Sequence, residues 1–113
     1  MRTNYAMIGD DKFCHYLEFL IGKVYKILGI KENQDELNFK KYIDRLLREL
    51  IGNFNLIDEL KCDGYFITLM SKIEYLGTEE YSHEVCREEV FESISLIKKI
   101  IKNYNLEGDS KWV

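Results

Sequence analysis

Not one of the 113 residues is proline, where average usage would supply roughly five. Proline breaks helix interiors and punctuates loops. A chain without it fits long helices joined by short turns of Gly, Asn and Asp. Strands avoid proline too, so the absence narrows the choice and hydrophobic periodicity has to make it.

That periodicity is helical. Phe13, Leu17, Leu20, Ile21, Val24 and Leu28 recur at spacings of three and four, which places them on one face of a first helix over 11–28. Asp10 is suited to cap it, and Gly29 reads as its stop. Gly22 in its interior costs about 1 kcal/mol relative to alanine, which a close helix crossing would justify. A second helix over 34–51 carries Phe39, Ile43, Leu46, Leu47 and Leu50 on its apolar face. Asn33 and Glu36 form a capping-box spacing at its start, Asp44 and Arg48 are set to pair outside, and Gly52-Asn53 marks its end. Residues 54–60 read as a short helix and 62–64 as a turn. Residues 65–76 have helical spacing at Phe66, Leu69, Met70 and Ile73, although Tyr65-Phe66-Ile67-Thr68 has strand composition. A lone strand would lack a partner, so helix is expected there, ending at Gly77. A last helix from Ser82 to about Tyr104 bears Cys86, Val90, Ile94, Ile97 and Ile101, supported by Phe91 and Ile100.

Short loops near 29–33 and 77–82 make neighbouring helices antiparallel. The expected fold is all-α: a compact antiparallel bundle of four or five helices. It forms one domain over residues 1–113, with 1–9 and 108–113 as flexible tails. A content of 46% hydrophobic and 32% charged residues suits a single core and no disorder.

No apolar stretch approaches the ~20 residues of a membrane span, and residues 1–8 lack the apolar core of a secretory signal. Cys14, Cys62 and Cys86 are odd in number and widely spaced, which points to a reducing cytoplasm rather than a disulfide framework. The abundance of Ile, Lys, Asn and Tyr matches an AT-rich bacterial or phage genome. A net charge of −4 disfavours nucleic acid as a direct ligand.

Each chemical pattern has a competing structural reading. Glu80 and His83 match the Glu-x-x-His of di-iron bundles, but the second half of that set is missing. Cys14, His15, His83 and Cys86 are zinc-ligand types, yet adjacent residues on a helix point about 100° apart. Small core cysteines and surface histidines explain the four better. Cys14 beside His15 is neighbouring in sequence only, and the seven glycines form no phosphate-cradling loop. A helix-turn-helix over 57–76 would open its reading helix with Tyr65, Phe66 and Ile67 and offer one cation, Lys72, where base and phosphate contacts need polar and basic groups. No cofactor, metal or catalytic residue is expected.

The last helix carries the clearest charge pattern. Glu79, Glu80, Glu84, Glu88, Glu89 and Glu92 load its start, and Lys98, Lys99 and Lys102 its end. Compensation of the helix dipole acts mainly in the terminal turns. Glu84, Glu88 and Glu92 instead repel one another at spacings of four, with Arg87 as the near cation. Tyr5, Tyr16, Tyr25, Tyr75, Tyr81 and Tyr104 lie off the apolar stripes, and tyrosine favours half-wet interfaces. The leading expectation is a non-enzymatic protein-binding module, an inhibitor, immunity-type protein or complex subunit. Glu84, Glu88, Glu92, Tyr81 and Arg87 would contact another protein. Small bundles also dimerise to cover leftover apolar surface, so a homodimer is an alternative partner. A nucleic-acid-linked regulator using Lys23, Lys26, Lys98, Lys99 and Lys102 ranks second, and a metal-binding bundle enzyme third.

Overall fold

Four α-helices and one 3-10 turn account for nearly all of the computed structural model, which describes residues 10–33, 35–78 and 82–109. They are α1 (Asp10–Glu32), α2 (Glu36–Leu56), the 3-10 helix Asp58–Cys62, α3 (Gly64–Thr78) and α4 (His83–Asp109). The all-α bundle read from the sequence is the observed architecture. Residues 1–9, 34, 79–81 and 110–113, including Tyr5, the expected second-helix start Gln34, Glu79, Glu80, Tyr81 and most of the expected tails, lie outside the described residues.

Several expected helix ends move, each for a packing reason. Gly29 does not stop α1. Ile27 is fully buried and Ile30 packs on the core, so the apolar face continues past the glycine, and Asn33 N–H closes the last turn on the Gly29 carbonyl at 3.3 Å. The cap of α2 is Asp35 rather than Asn33. Its backbone is extended and its carboxylate accepts from the Asn38 amide at 3.1 Å, supplying one of the partners that a helix N-terminus lacks. Gly52-Asn53 does not end α2 either. Phe54 stacks on Phe66 of α3 with ring centroids 6.4 Å apart, which holds the final turn in place. The expected short helix over 54–60 therefore divides between the end of α2 and the 3-10 turn.

Asp63 starts α3 by accepting from the Tyr65 and Phe66 amides at 3.0 and 3.2 Å. The strand-like composition of 65–68 yields to burial. Phe66, Leu69, Ile73 and Leu76 are all at the core, a set that only a helical period brings to one side. Gly77 sits inside α3, one residue before its end. A methyl group there would lie 2.9 Å from Cγ2 of Ile43, so this is where two helices cross closely. Gly22, which such a crossing would justify, has nothing within 4 Å of a Cβ position.

The helices run alternately up and down. Lys23 meets Glu49 across α1 and α2, Gly77 meets Ile43 across α2 and α3, and Lys72 meets Glu89 across α3 and α4. His83 lies 3.7 Å from Glu32, which sets the start of α4 beside the end of α1. Each helix packs on its two ring neighbours, α1 most extensively on α4, and among the described residues no diagonal pair packs together. The core lies inside this ring, with Leu17, Leu20, Ile27, Leu50, Phe66, Ile97 and Ile100 among its sealed side chains. Among the described residues Ser93 is the buried polar one, and its hydroxyl donates to the Glu89 carbonyl at 2.7 Å, so its burial is satisfied.

Candidate functional site

The outer face of α4 presents Glu84, Arg87, Glu88, Phe91 and Glu92 around one open, shallow depression of about 460 Å³. All five side chains are exposed. Their helix is pinned from behind by Cys86, Val90, Ile94 and Ile97, so the face is a rigid platform rather than a loop. Four of the five residues singled out from sequence thus share one surface, and the fifth, Tyr81, lies outside the described residues.

Phe91 is the residue that sequence reasoning misplaced. Its place in the sequence reads as support for the core stripe, yet it is 43% exposed. The signal was available in its phase: it follows Val90 directly and is turned about 100° from it. Two neighbours fix its ring. The Arg87 guanidinium sits 5.7 Å from the ring centroid, in cation–π range. Tyr25 of α1, itself 56% exposed, meets it edge to face with centroids 6.2 Å apart and planes at 73°. The face is therefore an ordered aromatic pair rimmed by acids and one arginine. Aromatics and arginine are the residue types that anchor protein interfaces.

The charges on this face are not all equivalent. Lys72 reaches over from α3, with Nζ 2.6 Å from Glu92 and 3.2 Å from Glu89. The Glu92 hydrogen bond is the main reason its ammonium is held above the usual lysine range; partial burial opposes the shift, and the bond to Glu89 adds to it. Arg87 is therefore not the sole cation near the strip, and Glu92 is compensated. Glu84 and Glu88 make no ion pair among the described residues.

A second concavity lies between α1 and α2. It is an open groove of about 620 Å³ lined by residues that include Phe19, Gly22, Lys26, Arg45 and Leu46. At its edge, Tyr16 donates to Glu49 at 2.7 Å and accepts from the Asn53 amide at 2.7 Å, while Lys23 donates to the other Glu49 oxygen at 2.6 Å. Tyr42 closes the set by donating to the Lys23 carbonyl at 2.6 Å. Burial, then the Glu49 hydrogen bond and charge, push the Tyr16 hydroxyl far above the usual tyrosine range. Burial alone would raise the Glu49 carboxyl, but the Lys23 and Tyr16 hydrogen bonds outweigh it and hold the group below its ordinary value. At neutral pH the phenol keeps its proton and the carboxylate stays ionised. The pair ties two helices together and is poorly matched to proton transfer, which favours groups poised near the working pH.

The remaining candidates are scattered. Cys14 and Cys86 are buried, whereas His15 and His83 are exposed and face Glu18 and Glu32 at 3.8 and 3.7 Å. Among the described residues no three of His, Cys, Asp or Glu converge. The five lysines considered for nucleic acid do not share a face. Lys23 and Lys26 turn toward α2, where they meet Glu49 and the Tyr42 ring. Lys99 lies over Tyr65 of α3. Where a helix-turn-helix would place its first helix, residues 58–62 form a 3-10 turn, and the apolar side of α3, the helix that would have to read, is core. No described helix is long and apolar enough to cross a membrane. Comparison with protein-family models, curated proteins and solved structures finds no match to this chain.

Proposed function

We propose that this chain is a non-enzymatic protein-binding module that acts by occupying a basic surface on another protein through the outer face of α4. The observation that carries the reading is Phe91: a large aromatic side chain exposed on a rigid helix, braced by Arg87 and Tyr25. Exposed single apolar residues are common. An exposed aromatic pair ordered by a neighbouring helix and rimmed by uncompensated carboxylates is the anatomy of an anchored, charge-guided contact. The acids at 84 and 88 favour a partner bearing Lys or Arg opposite them and speed encounter with it.

The test compares the full chain with its Glu84→Lys/Glu88→Lys/Glu92→Lys variant in affinity capture from lysate, at low and at high salt. The expected result is a stoichiometric basic protein held by the native chain, released at high salt and lost by the variant, while the helical circular dichroism of the two is the same. Capture of the same protein by both would discard this face.

A further inference from the structure

The charge pattern of α4 is self-complementary. Glu84, Glu88, Phe91, Ser95, Lys98 and Lys102 alternate at spacings of four and three, the repeat that keeps one seam of a helix facing a partner helix. Every one of the six is exposed. Glu84 and Glu88, at one end of the seam, make no ion pair among the described residues, and neither do Lys98 and Lys102 at the other end. The flanking charges are already engaged within the chain: Glu92 by Lys72, Arg87 by Phe91 and Lys99 by Tyr65.

We infer that this seam binds a second copy of the same chain, α4 against α4 in antiparallel orientation about a two-fold axis near residue 93. That register sets Glu84 opposite Lys102 of the other copy and Glu88 opposite Lys98, and symmetry repeats both pairs. Phe91 falls opposite Ser95, a large side chain against a small one, which is how facing helix surfaces interdigitate. The parallel arrangement sets acids against acids and lysines against lysines and is excluded by repulsion. Glu92 is the one acid brought close to its own copy, and Lys72 has already compensated it. A contact confined to one helix per copy is smaller than the roughly 800 Å² per partner of a stable complex, so the dimer is weak, concentration-dependent and sensitive to salt.

The dimer covers Phe91 and the acids at 84 and 88. If the protein-binding reading above holds, self-association competes with the partner for one surface. The dimer itself does not rest on that reading.

Sedimentation velocity over a hundredfold range of protein concentration tests it. At low salt the native chain shifts from 13.5 kDa toward twice that mass, and 1 M salt restores the monomer. Glu84→Lys/Glu88→Lys has an all-basic seam and Lys98→Glu/Lys102→Glu an all-acidic one, so each alone stays monomeric. Mixed, they associate, because all four pairs are again opposite in sign. The fourfold swap Glu84→Lys/Glu88→Lys/Lys98→Glu/Lys102→Glu dimerises by itself. Unchanged circular dichroism confirms that each variant is folded. A native chain that is monomeric throughout overturns the inference, as does a dimer indifferent to salt and to all the swaps. Lys98→Glu/Lys102→Glu separates the two proposals, since it keeps the acidic half. Retained capture of a basic protein by that variant with no native dimer sinks the dimer alone. A native dimer that obeys the swaps, with no protein captured, sinks the partner reading alone.

Discussion

Tyr16 carries more of the α1–α2 seam than its place off the apolar stripe announces. Its hydroxyl bonds Glu49 and Asn53 together, and its proton is held well past the ordinary tyrosine range. A folded-state value raised above the unfolded one means stability that is fully present below about pH 10 and lost as the pH climbs, because the unfolded chain surrenders its proton first. Tyr16→Phe is expected to cost about 1 kcal/mol in urea unfolding at pH 7 and to flatten the decline in stability between roughly pH 10 and 12. The same decline in both proteins would show that the network does not hold the proton. The sequence marked Tyr16 as a half-wet residue and stopped there. Which groups meet its oxygen depends on residues more than thirty positions away, and spacing within one helix cannot supply that.

Helices end where their packing ends, and this separates what was legible in the chain from what was not. The apolar faces of all four helices could be read directly, since burial follows period and almost every expected stripe residue lies at the core. The stops could not. Gly29 and Gly52 are glycines in ordinary helix, carried along by Ile30 on one side and Phe54 on the other. Two capping-type residues, Asn33 and Asp35, lie within three positions, and local preference does not choose between them. Gly22 and Gly77 look alike in sequence and differ in structure: open space at the first, Cγ2 of Ile43 at the second. Gly22→Ala is expected to raise stability by about 1 kcal/mol through helix propensity. Gly77→Ala gains the same propensity but overpacks the crossing by about 1–3 kcal/mol, for a net loss of about 1 kcal/mol. Denaturant midpoints of the two variants moving in the same direction would remove that distinction.

At the scale of the molecule, short connections and four apolar stripes were enough to anticipate an antiparallel bundle. They did not reveal that the first and last helices would form its most extensive seam. The candidate face was half legible for this reason. Glu84, Arg87, Glu88 and Glu92 follow from one helix, as does the outward phase of Phe91, whereas its contact with Tyr25 depends on α1 closing against α4. That closure also governs how the molecule bears load. The start of α1 and the end of α4 lie at the same pole, so a tether pulling those two points apart opens their seam from one end, turn by turn, like a zip. Force applied between the start and the end of α1 would instead have to slide whole helix faces past one another. The bundle is therefore expected to be mechanically anisotropic: in single-molecule stretching it yields at a lower force when pulled at residues 12 and 102 than when pulled at residues 12 and 32, and equal forces in the two geometries would contradict the ring closure described above.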